Sequence, residues 1–355
     1  MRMGWDVLIL GCAGMASCRA EVAAVTGLAV VEPCQAAAGM ALTRIALGGN
    51  MGDNMLNENA SGVYTIAVTP FLPVGALDLQ SLDRVTDFYL EKGATGLTVL
   101  GIMGEAGKLS AEESLAVVRR VVGRAGVPVV VGVSAPGFAA MQALGHEAMA
   151  AGAAGVMVAP PANLRSDDQI VGYYRTVAEM LPGIPFVLQD FPLVTTVTIP
   201  VAVILRIVAE CPACVMLKHE DWPGLDKISA IRAGQGRRIS ILCGNGGQFL
   251  PEEMARGADG AMTGFAYPEM MAAVLAAHRA GDRDRAQDIF DAYLPLVRYE
   301  AQPGVGLAVR KHILWSRGAI AHPTLRRPGA VLNAAGVAEV AFLVARQERR
   351  LAMLG

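Results

Sequence analysis

Lysine is scarce in this chain of 355 residues: five lysines stand beside twenty-five arginines. Lys92, Lys108, Lys227 and Lys311 have charged or loop-like neighbours, whereas Lys218 closes an apolar run, Cys214-Val-Met-Leu-Lys218. A lysine at the end of a buried strand loses hydration, which lowers its pKa and exposes a nucleophilic amine. Such an amine condenses with a carbonyl to a Schiff base, an electron sink for making and breaking C–C bonds. The plainer reading is a strand-end cation paired with Glu220 or Asp221, and both stay open here. Cys211 and Cys214 form a C-x-x-C, but no second pair follows at ligand spacing, so neither zinc nor redox chemistry is expected. The five histidines are scattered and His219-Glu220-Asp221 lacks ligand spacing, so no metal is expected. The loop Gly244-Asn-Gly-Gly247, with Thr263-Gly264, has the glycines of a phosphate cradle, and equally those of a tight turn.

A repeat shows which elements must position these groups. Short β-rich runs lie at Val63–Val68, Gly96–Leu100, Pro128–Val133, Gly155–Ala159, Pro185–Gln189, Cys214–Lys218, Ile239–Cys243 and Gly260–Thr263. They begin about 20 to 33 residues apart, the length of a strand–helix–return unit. Ser110-Ala-Glu-Glu113 is a capping box that predicts a helix over Ala111–Arg124. Short helical turns are expected at Leu205–Glu210 and Pro251–Arg256. The strands lack polar/apolar alternation, as expected when both faces are covered. Eight units predict an α/β fold, a closed (β/α)8 TIM barrel, and not a doubly wound sheet, because no G-x-G-x-x-G follows the first strand. Helices at Pro268–Ala280, Asp282–Arg298, Val305–Ser316 and Ala334–Leu351 form a C-terminal helical region outside the barrel count. Catalytic groups of such a barrel collect at the C-terminal strand ends. Those ends are Thr69, Gly101-Ile-Met-Gly-Glu105, Pro160-Pro161-Ala162-Asn163, Gln189-Asp190, Lys218-His219-Glu220-Asp221, Gly244–Gly247 and Thr263-Gly264-Phe265.

From about residue 61 onward the chain resembles the dihydrodipicolinate synthase/N-acetylneuraminate lyase family of class I aldolases. Thr69-Pro70-Phe71 matches that family's Thr-Pro-Phe. Gly101-Ile-Met-Gly-Glu105 stands where it has Gly-Thr-Thr-Gly-Glu, and Leu217-Lys218-His219-Glu220 where it has Ile-Lys-Glu with the Schiff-base lysine. The resemblance implies a barrel with a helical tail, a homotetramer, and a 2-oxo acid such as pyruvate held as an imine on Lys218.

The departures from the family fall at the chemistry. Ile102 and Met103 replace the threonines that bind carboxylate and relay protons, Gln189 replaces the acid/base tyrosine, and Ala162 the relay tyrosine. An amide cannot do a phenol's proton transfer, so neither dihydrodipicolinate synthesis nor sialic acid cleavage is expected. The backbone N–H groups of Met103 and Gly104 are expected to cradle a carboxylate, with Ile102 and Met103 making the pocket more apolar. Gln189 is expected to hydrogen-bond a substrate oxygen, and Thr69, Asn245 and Thr263 to line the mouth. Protons fall to Glu105, Asp190 or His219. Strand alternation turns His219 away from Lys218, and Asp190 away from Gln189, which favours structural roles for both. Glu105 either caps the next segment or lines the pocket.

The first fifty residues differ from the rest. Asp6–Gly11 and Leu28–Val31 read as short strands, and Met15–Val25 and Gln35–Leu47 as helices. The run from Asp6 to Met15 resembles part of the aspartate/glutamate and hydantoin racemase family, which implies a catalytic thiol at Cys12, but its partner half is absent. Residues 1–50 are therefore read as a racemase-like fragment or N-terminal extension, 51–61 as a polar linker with Met51 and Met55 as possible starts, and 62–355 as the barrel with its helices. A formal charge of -2 leaves no basic excess for nucleic acid. A mean hydropathy of +0.41 calls for a membrane test, but Pro128 and Pro136 break the longest uncharged stretch, 125–145, so no membrane partner is expected. The sequence thus predicts a cytoplasmic, cofactor-free lyase, tetrameric or dimeric, that forms a Schiff base with a small 2-oxo acid for aldol cleavage or condensation, or dehydration. The alternatives are a catalytically silent ligand-binding barrel and a phosphate-binding barrel enzyme.

Overall fold

The computed structural model describes residues 7–9, 29–31, 55–134, 137–222 and 224–354. The chain divides into two units, Met1–Asn54 and Met55–Gly355. In the first, β1 (Val7–Ile9) and β2 (Ala29–Val31) pair in parallel, where two short strands are expected. Cys12 and the two helices expected there lie outside the described residues.

In the second unit, eight parallel strands close into a barrel. They are β3 (Gly62–Ile66), β4 (Gly96–Val99), β5 (Val129–Gly132), β6 (Gly155–Val158), β7 (Phe186–Asp190), β8 (Cys214–His219), β9 (Ser240–Cys243) and β10 (Gly260–Thr263). Each is followed by a helix: α1 (Leu79–Glu91), α2 (Ala111–Ala125), α3 (Phe138–Ala150), α4 (Asp167–Met180), α5 (Val201–Glu210), α6 (Leu225–Gly234), α7 (Leu250–Ala255) and α8 (Pro268–Arg279). The pleat sorts the strand residues into two apolar layers. Tyr64, Ile66, Val130, Met157, Val187, Met216, Leu242 and Met262 fill the barrel interior. Their neighbours, such as Leu97, Val131, Val156, Leu188, Leu217 and Ile241, pack outward under the helices. Both layers are apolar, which is why the strands show no alternation in the sequence.

Two boundaries differ from expectation. Leu56 joins the interior cluster, and its N–H donates to the Ala154 carbonyl at 2.9 Å. The Ser240 hydroxyl donates to the Ala60 carbonyl at 2.7 Å. Residues 55–61 thus belong to the barrel, and the linker reading does not hold for them. At the other end, α8 packs on β3 and α7 and is the eighth barrel helix, not part of the tail. The tail is α9 (Arg283–Glu300), α10 (Gly306–Ser316) and α11 (Ala334–Ala352). The α2 capping box forms as expected, and a second box at Ser166 and Gln169 starts α4. Among the described residues no helix is long and apolar enough to cross a membrane.

Candidate active site

Strand β8 is buried throughout, and its alternation sets the site. Met216 faces the barrel interior and Leu217 the helices, so Lys218 faces inward. It lies in register with Gln189 on β7 and Leu242 on β9. Lys218 is 5% exposed, and its Nζ lies 2.9 Å from Glu220 Oε2. The same Oε2 accepts a hydrogen bond from Gln189 Nε2 at 2.8 Å. Asn245 Nδ2 donates to the Glu220 carbonyl at 2.7 Å. Sheet pairing runs one residue past the strands: the Glu220 N–H donates to the Asp190 carbonyl, and the Gly244 N–H to the His219 carbonyl. Of the residues singled out in the sequence, Lys218, Gln189 and Asn245 thus come together around Glu220. Glu220 appeared there only as a neutralising partner. The alternation that turns His219 outward turns Glu220 inward, and that signal was available.

The loop after β4 is held by its own bonds. Residues Ile102–Gly104 form one 3-10 turn, entered through extended Gly101 after left-handed Leu100 (φ 56) and left through left-handed Glu105 (φ 55). The Gly104 N–H donates to the Gly101 carbonyl at 2.9 Å, so it is spent inside the turn and does not offer the amide expected of it. The Gly104 carbonyl accepts from the Thr69 hydroxyl at 2.6 Å. Met103 packs on the interior cluster, while Ile102 is 49% exposed.

Glu105 is buried and anchored. Its Oε1 accepts from Lys311 Nζ at 2.6 Å, and its Oε2 from Lys108 Nζ at 2.8 Å and the Arg326 N–H at 3.1 Å. Both oxygens are engaged, an arrangement that suits anchorage of the loop. Lys311, read in the sequence as one more lysine among charges, is fully buried on α10. Its Nζ also donates to the carbonyls of Thr69 and Thr324, and it lies 4.6 Å from the centre of the Phe71 ring. Burial pushes its pKa down to about 8, against the pull of Glu105.

The glycine loop after β9 spends its glycine N–H groups on internal bonds, as a tight turn does. The Gly246 N–H donates to the Thr263 hydroxyl at 2.7 Å, and the Gly247 N–H to the Gly244 carbonyl at 2.8 Å. Thr263 shares the outward parity of Ala261 and ties this loop to β10.

Asp190 and His219 lie on the outer face, as the alternation predicts. Asp190 accepts from Lys227 at 2.6 Å, and burial raises its pKa to about 6. His219 Nδ1 is 3.3 Å from Glu253. Cys211, Cys214 and Cys243 are buried free thiols, and burial pushes Cys214 up to about 12, against a reactive thiolate. No cluster of three or more metal-ligating side chains occurs among the described residues. A cleft of about 870 Å³ between α10 and residues 323–332 is not lined by Lys218.

The chain was compared with known proteins. The family model described as "Dihydrodipicolinate synthetase family" matches residues 59–346. L-2-keto-3-deoxyarabonate dehydratase of Azospirillum brasilense is 29% identical over 294 residues, covering 80% of this chain and 94% of that protein. The 4-hydroxy-tetrahydrodipicolinate synthase of Sorangium cellulosum (strain So ce56) is 34% identical over 242 residues, covering 66% of this chain and 79% of that protein. Among solved structures, the dihydrodipicolinate synthase of Rhodopseudomonas palustris superposes with a TM-score of 0.81 at 52% identity, covering 82% of this chain and 99% of that one. The matched family model begins at residue 59, and the racemase resemblance of the first fifty residues gains no support.

Proposed function

The chain belongs to the dihydrodipicolinate synthetase family of lyases, dehydratases and synthases, and from that premise we propose that it holds a small 2-oxo acid as a Schiff base on Lys218. The observation that carries this reading is the Lys218 amine, buried at the C-terminal end of an inner-barrel strand, 2.9 Å from a carboxylate that can hold its proton. Once neutral, the amine attacks the C2 carbonyl and the adduct loses water. The resulting iminium withdraws electrons from the C3–C4 segment. That sink serves aldol cleavage or condensation equally with loss of a hydroxyl, and needs no added cofactor.

The similarity to a protein named as a 2-keto-3-deoxyarabonate dehydratase supports dehydration. Half-exposed Ile102 and the apolar Met103 support a substrate whose far end is less polar than a sugar acid. Gln189, already bonded to Glu220, keeps its carbonyl oxygen for a substrate hydroxyl. The proposed enzyme is a cytoplasmic homo-oligomer, tetramer or dimer.

Borohydride trapping with pyruvate and a panel of 2-oxo acids, read by intact mass, tests the reading. A covalent adduct is expected with wild type and none with Lys218→Ala, and the acid that traps best identifies the substrate class. A folded wild-type protein that traps no acid would overturn the reading in favour of a silent ligand-binding barrel.

A further inference from the structure

Imine chemistry needs a group that moves protons at the lysine nitrogen, and this chain lacks the family's phenol at the fifth strand. The structure narrows the replacement. Gln189 occupies the position, but an amide neither takes nor gives a proton near neutral pH. Glu105 has both oxygens bound by Lys311, Lys108 and the Arg326 N–H. Asp190 lies on the outer face against Lys227, and His219 on that face against Glu253. Glu220 remains. Its carboxylate is buried, touches the reacting nitrogen at 2.9 Å, and is held by Gln189 Nε2 on one side. Its backbone is fixed by Asp190 and Asn245.

The fold also makes room for it. A Cβ placed on Gly244 would lie 2.1 Å from Glu220 Cγ, 2.8 Å from its Cδ and 2.8 Å from the His219 carbonyl, so glycine there gives both the Glu220 side chain and the β8–β9 pairing their space.

We infer that Glu220 is the acid–base partner of Lys218 during imine formation and hydrolysis, a carboxylate in place of the missing phenol. The inference rests on the Schiff-base reading above. In the resting site the ammonium passes one proton to Glu220. The freed nitrogen pair forms the N–C2 bond while the C=O π pair moves to oxygen, which takes the proton from Glu220. The nitrogen then gives a second proton to Glu220, leaving a neutral carbinolamine. Glu220 returns that proton to the C2 hydroxyl, the C–O bond breaks, water departs, and the nitrogen pair closes the C=N bond. The nitrogen keeps one hydrogen, water carries two, and Glu220 ends as a carboxylate.

The test is the rate of borohydride-trappable adduct formation with pyruvate, by quenched flow and intact mass. Glu220→Gln keeps the shape and the hydrogen bonds to Lys218 and Gln189. It is expected to reach a Lys218 adduct about 10²- to 10⁴-fold more slowly than wild type, the span of a lost general acid–base group. Formate is expected to speed Glu220→Ala by supplying a carboxylate, a rescue that a structural role would not produce. Should Glu220→Gln fail to fold, Glu220→Asp carries the test, with a rate reduced about ten- to a hundredfold by the shortened reach. A wild-type rate in folded Glu220→Gln or Glu220→Ala, or in Glu220→Asp where it carries the test, overturns this inference alone and leaves the imine standing. No adduct in wild type overturns the Schiff-base reading and this inference with it.

Discussion

At the scale of single residues, two buried lysines divide the work. Lys218 faces Glu220 in the barrel interior, and Lys311 faces Glu105 behind the first two strand ends. The second pair is anchorage. Replacing Glu105 by glutamine leaves the Lys311 ammonium buried beside a neutral amide, a loss that costs about 3–5 kcal/mol when one partner of a buried pair is removed. Glu105→Gln is therefore expected to unfold at clearly lower urea, while the fraction that remains folded still traps a 2-oxo acid on Lys218. A variant of wild-type stability that had lost turnover would instead return Glu105 to the chemistry. The sequence hid this pair for a physical reason. Lys311 reads there only as a lysine with charged neighbours, and the acid it meets is 206 residues away. Glu220 was legible by contrast, because the parity rule already applied to His219 places it two residues beyond Lys218 on the same face.

At the scale of elements, the strand ends carry the geometry, and β9 shows how. Gly244 has a negative φ (-105), so space and not a left-handed φ calls for its glycine. Gly244→Ala is expected to lower the melting temperature by straining the His219 carbonyl pairing, push the Glu220 carboxylate off the Lys218 nitrogen, and slow adduct formation in the folded protein by about 10²-fold, as a displacement near 1 Å does. Quenched-flow trapping beside a thermal melt checks it, and a wild-type rate would show that the carboxylate needs no such clearance. The strand positions and most helix starts were legible because capping boxes and apolar runs are local signals. The loops were not. Arg326 donates through both terminal nitrogens to Glu113 at 2.7 Å, holding that carboxyl at about 2, and also donates to the carbonyls of Gly75 and Lys108. A segment far along the chain thus fastens the loop that shapes one side of the mouth, and no local pattern announces it.

At the scale of the whole molecule, closure is what eight strand–helix units achieve, and all eight strands of the ring lie between Gly62 and Thr263. The interior cluster runs from Leu56 and Tyr64 through Met216 to Met262, and β10 pairs with β3 to finish the ring. The eighth helix was misassigned to the tail because the sequence cannot show that Pro268–Arg279 returns to β3, a contact that exists only once the ring is shut. Leu56 was read as linker because its polar neighbours mask one apolar side chain that plugs the interior. The same residue fixes where a shortened chain must begin. A protein starting at Met55 keeps Leu56, its bond to Ala154 and the Ala60–Ser240 contact, and with them every residue of the interior cluster among the described residues. It is expected to melt at the temperature of the barrel transition in the full-length protein and to trap 2-oxo acids on Lys218 at an unchanged rate. A protein starting at Gly62 keeps all of β3 but lacks Leu56 and Ala60, and is expected to melt lower, since a lost core leucine costs about 3–5 kcal/mol. Equal melting of the two shortened chains would remove Leu56 from the barrel and restore the linker reading. Loss of folding in the Met55 chain would show that the first unit supplies part of the barrel's stability.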